Sequence, residues 1–120
     1  MNYVDGYLVP VRTSEKEAYR QLASEAAAIF REHGALAVVE CWGDDVPEGK
    51  VTSFPMAVKL EEGETVVFSW IVWSSREARD AGNAKAMADP RMQPPADLPF
   101  DPQRMIYGGF EAIVEAWAGR

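Results

Sequence analysis

Residues 65–77 read TVVFSWIVWSSRE, and this stretch decides the fold. Thr65–Trp73 has β-branched and aromatic residues on both alternating faces. Such a run predicts a central strand covered on both sides. Ser74 with Glu77 has the spacing of a capping box, so a helix is expected to open directly after the strand. That helix is alanine-rich and is expected to end near Asp89–Pro90, where proline stops it.

The pattern repeats toward the N-terminus. Tyr3–Val11 alternates and predicts a first strand, with Pro10 at an edge or at the end of pairing because it donates no hydrogen bond. Ser14 and Glu17 form another capping-box pattern. Tyr19, Leu22, Ala23, Ala26, Ile29 and Phe30 follow at helical spacing, and Gly34 is a left-handed stop. Ala35–Trp42 predicts the second strand. Gly43–Gly49 reads as a turn. Val51–Leu60 fits either a helical turn around Phe54–Val58 or an extra edge strand. Five of the eight prolines fall between Pro90 and Pro102, an irregular loop with Met92, Leu98 and Phe100 as apolar anchors. Met105–Trp117 predicts the last strand, with Gly108 and Gly109 marking a bulge or a close backbone approach.

The order is therefore βαββαβ. It implies a single α+β domain over residues 1–120, with a ferredoxin-like antiparallel sheet and two helices on one face. Two helices cover one face only, and both faces are apolar or aromatic. A second copy of the chain is the simplest cover for the other face.

Bulk composition narrows the function. The 120 residues carry 12 basic and 19 acidic side chains, a net charge of −7, with pI near 4.7. Such a field repels phosphate backbones and anionic lipid, so neither nucleic acid nor membrane is an expected partner. One cysteine excludes an internal disulfide and fits a reducing compartment. No signal peptide or membrane-length apolar run is visible, so a soluble cytoplasmic protein is expected. With one His and one Cys, zinc of the usual ligand types is not expected, nor is another metal or a cofactor. His33 reads as a helix-end cation, Cys41 as a small hydrophobe, and Asp44, Asp45 and Glu48 as a solvated turn.

Alternation sorts the chemistry-bearing residues. The small aliphatic sets suit the face beneath the helices. The aromatic and carboxylate sets suit the second face. They would line a pocket between two sheets, with Tyr7, Trp42, Trp70 and Tyr107 as walls and Asp5, Glu40 and Glu111 as polar groups. Few polar groups in an aromatic cavity suit a small ligand, and a buried carboxylate suits a general base. Glu40 or Asp5 is the candidate base, Tyr107 a hydrogen-bond donor and Arg104 an anion partner. The alternative is a plain dimer interface in which these carboxylates pair with Arg104 or with tyrosine hydroxyls.

Several motifs carry a resemblance: YVDG (3–6), VECWGDD (39–45), TVVFSWI (65–71), DPRM (89–92) and RMIYGGFE (104–111). Together they resemble an uncharacterised bacterial family of unknown function within the dimeric α/β-barrel superfamily. The resemblance implies a homodimer whose sheets pack face to face. Relatives in that superfamily include cofactor-free monooxygenases and muconolactone-type isomerases, so it implies cofactor-independent oxygenation or isomerisation of a small aromatic or carbonyl compound. Haem-binding relatives lean on a histidine facing the haem, and here the single His33 sits at a helix end. A non-catalytic dimeric module is the second expectation, and an RNA-associated protein the third.

Overall fold

A computed structural model describes residues 1–119. The element order is β1 (Tyr3–Arg12), α1 (Lys16–Glu32), β2 (Ala37–Trp42), α2 (Phe54–Ala57), β3 (Glu64–Trp73), α3 (Arg76–Ala88) and β4 (Ile106–Glu111). The four strands form one sheet in the order β2-β3-β1-β4, with every neighbouring pair antiparallel. This is the expected ferredoxin-like arrangement, and β3 is central as its two apolar faces require.

The ends of the elements follow local chemistry. Gly34 adopts φ +108°, and the Ala35 N–H donates to the Phe30 carbonyl at 3.0 Å, closing α1. Ser14 does not cap α1; Thr13–Glu15 winds as a 3₁₀ turn and no side chain caps the helix behind it. For α3 the cap is Ser75, not Ser74: its hydroxyl accepts from the Ala78 N–H at 3.0 Å. The ambiguous 51–60 segment contains the short helix α2, capped by Ser53 with Pro55 in its first turn. Pro10 lies beyond the last β1–β4 pair, Leu8 with Ile106, where its missing donor disrupts nothing. The last strand ends at Glu111, short of the expected Trp117.

Alternation across the ladder places Tyr3, Asp5, Tyr7, Val9 and Val11 on one face of β1, with Val67, Ser69, Ile71 and Trp73 beside them on β3. This face lies under α1 and α3. Trp73 is fully buried and meets Phe30 edge-on at 6.4 Å. Burying an aromatic of this size contributes about 4–6 kcal/mol before entropy. The core has two parts. One holds Ile29, Phe30, Ala35, Ile71, Trp73 and Ala86. The other holds Val9, Val11, Tyr19 and Val67.

The expected face assignment is thereby reversed. The aromatic and carboxylate sets, including Tyr7, Glu40, Trp42, Tyr107 and Glu111, lie on the helix side. The aliphatic sets lie on the open side, where Trp70 stays with Val4, Leu8, Phe68 and Phe110. Tyrosine and tryptophan pack their apolar bodies under helices as readily as valine does, so size alone did not select the face. No bulge interrupts β4: its register against β1 is continuous from Ile106 to Glu111. Gly109 serves close approach instead. A Cβ at Gly109 would collide with the Tyr3 hydroxyl and the Arg79 guanidinium.

Candidate functional site

The gap between the two core clusters is polar. One row crosses all four strands on the helix side. Tyr107 of β4 pairs with Tyr7 of β1, Tyr7 with Ser69 of β3, and Ser69 with Glu40 of β2. The flanking rows are apolar at β3: Ile71 on one side, Val67 on the other. Among the described residues, Tyr7 alone packs against both clusters.

Helix α1 closes the row from above. Its Tyr19 hydroxyl donates to Glu40 Oε1 at 2.7 Å. Glu40 lies on edge strand β2, and the residue as a whole is exposed. Its carboxyl is nonetheless crowded by protein atoms. This partial desolvation raises its pKa above the ordinary carboxylate value, and the Tyr19 hydrogen bond opposes the rise. Water reaching the strand edge limits the size of that shift. Burial also pushes Tyr19 up, reinforced by the Glu40 charge. The Tyr7 phenol is pushed up to about 12, first by burial and then by the nearby Asp5 charge.

Among the described residues, neither the Tyr7 nor the Ser69 hydroxyl has a hydrogen-bond partner, although Ser69 is only 4% exposed. No buried side-chain polar atom there lacks a partner. These two hydroxyls are therefore not fully sealed from solvent. Tyr107 stacks on Tyr7 at 6.1 Å and is 73% exposed at the β4 end. At the β2 end Trp42 follows Glu40 on the same face, with the Lys16 ammonium 5.2 Å from its ring centroid. The arrangement offers one accessible carboxyl, two free hydroxyls and flat aromatic surfaces.

The other candidates from the sequence stand elsewhere. Asp5 is 4% exposed and saturated: it accepts from Trp73 Nε1 at 3.0 Å, from Arg79 Nε at 3.1 and 3.2 Å, and from Arg79 Nη2 at 2.9 Å. It anchors α3 to the sheet and has no lone pair free for a substrate. Trp70 lies on the opposite face, 5.4 Å from Phe68. Glu111 is exposed, four residues past Tyr107 on β4 and opposite Tyr3. Arg104 is fully engaged. It binds Glu64 through two nitrogens at 2.8 and 2.6 Å, Asp101 at 2.8 Å and the Lys59 carbonyl at 3.0 Å. It clasps the proline-rich loop to the start of β3. His33 ends α1 and pairs with Asp89 at 3.1 Å.

Two broad surface grooves, of about 580 and 570 Å³, flank the 61–64 turn. Glu61, Glu62 and Glu64 line both, beside apolar residues in the first and Arg12 and Arg104 in the second, and neither includes a residue of the row. Sequence reasoning missed Tyr19, Ser69, Lys16 and Arg79. For two of them a signal existed: Tyr19 puts a hydroxyl on a buried helix face, and Ser69 is the one hydroxyl between Val66 and Trp73.

Residues 2–102 match the family model described as "Protein of unknown function (DUF1428)". The chain belongs to this family. "Uncharacterized protein YbaA" of Escherichia coli strain K12 is 59% identical over 116 residues, covering 96% of this chain and 99% of that protein. The protein of the same name in Shigella flexneri aligns with the same values. Among solved structures, Rv0793 from Mycobacterium tuberculosis covers 98% of this chain and 100% of its own at 15% identity, with a TM-score of 0.48. The expected membership of a bacterial family of unknown function therefore holds. No helix among the described residues is long and apolar enough to cross a membrane.

Proposed function

We propose that the polar row under α1 is a small-molecule site in which Glu40 acts as a general base, in a protein that works as a homodimer through its open sheet face. The observation that carries the reading is the row itself: Tyr107, Tyr7, Ser69 and Glu40 in register across four strands, lying between the two apolar clusters of the core. Glu40 would take a proton from carbon next to a carbonyl. The free Tyr7 or Ser69 hydroxyl would donate to the enolate oxygen that forms, and Tyr107 and Trp42 would flank a planar substrate. Returning the proton at another position completes an isomerisation, with no cofactor in the balance.

The dimer reading rests on the other face. Phe68, Ile106 and Phe110 are 46%, 43% and 63% exposed there, beside Trp70. A continuous apolar sheet of this kind matches an interface better than a solvated surface.

The direct test is hydrogen exchange on a panel of small aromatic ketones in D₂O, followed by proton NMR. Wild type should speed loss of the carbon-bound proton next to the carbonyl, and Glu40→Gln should not. Exchange at the buffer rate with wild type would overturn the reading. A second reading has its own observation: Tyr19 already satisfies one oxygen of Glu40, as it would in a structural tie. In that case Glu40→Gln alters thermal stability and no ligand response.

A further inference from the structure

We propose that the ligand of this site is an anion, a small planar carboxylate such as an aromatic 2-oxo acid, and that Lys16 is the residue that holds its charge. The inference rests on the reading of the row as a small-molecule site. It adds the substrate class and a specificity residue that the row itself does not contain.

The geometry comes in two parallel contacts. Lys16 and Tyr19 lie three residues apart on one face of α1. Glu40 and Trp42 lie two apart on one face of β2. Tyr19 meets Glu40 at 2.7 Å, and the Lys16 ammonium stands 5.2 Å from the Trp42 ring centroid. The base and the ammonium are thus carried on adjacent rows of one sheet face, each reached from α1.

Charge balance then selects Lys16. The site sits in a protein of net charge −7, next to two carboxylates, so an anion needs a local cation to enter. The other nearby cations are committed. Arg12 pairs with Glu15 and Arg20 with Glu17. Arg79 is held by Asp5 and Asp80. Among the described residues the Lys16 ammonium makes no hydrogen bond and no salt bridge; the Trp42 ring faces it, and beyond that its charge acts only on the neighbouring, exposed Glu17. Lys16 also opens α1, where the positive end of the helix dipole adds to its charge. An ammonium resting on a ring face is easily handed to a carboxylate. The bound carboxylate would then sit at Lys16, with the carbon next to the carbonyl turned toward Glu40.

The test compares phenylpyruvate with its methyl ester, which keeps the ring and the acidic carbon and removes the charge. Binding to the full chain is measured by titration calorimetry for wild type, Lys16→Gln and Lys16→Arg. Wild type should bind the acid at least tenfold more tightly than the ester. Lys16→Gln should erase that gap with ester affinity changed by less than twofold, and Lys16→Arg should restore most of it. Equal affinities in wild type, or a gap that survives in Lys16→Gln, would overturn the charge assignment while leaving the site intact. Binding of neither compound would overturn both the assignment and the site.

Discussion

The Tyr19 hydroxyl reaches across from α1 and donates to Glu40 at 2.7 Å, joining a helix to the edge strand through the one accessible carboxyl of the polar row. This bond fixes the direction of the carboxyl. Glu40 thus has two distinguishable properties: a pKa raised by burial, against which this bond works, and a structural tie to α1.

Glu40→Gln separates them. Glutamine keeps an oxygen for the Tyr19 donor but cannot accept a proton as a base. Carbon–hydrogen exchange should fall by about 10²–10⁴-fold, the usual weight of a positioned base. The wild-type rate should rise with pH on a limb centred above the ordinary glutamate value, because only ionised Glu40 acts and its pKa is raised. The stability sign is opposite. A raised native pKa means the folded state holds the proton more tightly, so this group's contribution is present at low pH and declines as pH rises through the native value. Glu40→Gln should therefore keep or slightly raise the melting temperature at pH 7. A drop of many degrees there would return Glu40 to a purely structural role.

Tyr7 gives an alkaline signature. Its native pKa is about 12 against an ordinary 10, so between those values the unfolded chain loses a proton that the native state keeps. Stability must fall as pH rises through that window. Tyr7→Phe should flatten the fall, measured by urea unfolding at pH 9.5 and 11. At neutral pH it should cost less than about 1 kcal/mol, since the hydroxyl has no protein partner to lose.

Asp5 should behave as an anchor. Asp5→Ala strands the Arg79 guanidinium and the Trp73 N–H, and should cost about 3–5 kcal/mol. Removing both charges with Asp5→Ala/Arg79→Ala should cost less than the sum of the single changes. Strict additivity in denaturant melts would show that the pair does not act as a unit.

Much of this was legible in the sequence. The strand and helix order followed from periodicity, and Gly34 marked the end of α1 because only its left-handed backbone fits there. The α3 cap was misplaced by one residue because SSRE offers two serines and the Ser74–Glu77 spacing favoured the wrong one. The faces were reversed for a deeper reason. Both sides of β1 and β3 are apolar enough to be buried, so alternation defined two sets without saying which met the helices. Glu40, Tyr7, Trp42 and Tyr107 were grouped correctly as one set, while Trp70 was drawn in from the other side by its size. Arg104 and Asp5 read as functional from charge alone. Their saturation depends on Glu64, Asp101 and Arg79, partners distant in sequence that no local pattern reveals.

The open face supplies the remaining prediction. Phe68 is half-exposed on β3 between Phe54 at 5.8 Å and Trp70 at 5.4 Å. A carboxylate placed there meets water in a monomer, but would be buried against apolar surface in a face-to-face dimer. Burial of an unpaired charge is costly enough to prevent such packing. Phe68→Asp should thus give a monomeric mass in sedimentation with the circular dichroism of a folded chain. Met87 on α3 is 60% exposed on the helix side, so Met87→Asp should leave the mass at two chains. A two-chain mass for Phe68→Asp, or a one-chain mass for wild type, would remove this face as the dimer interface and leave the polar row under α1 to be judged by itself.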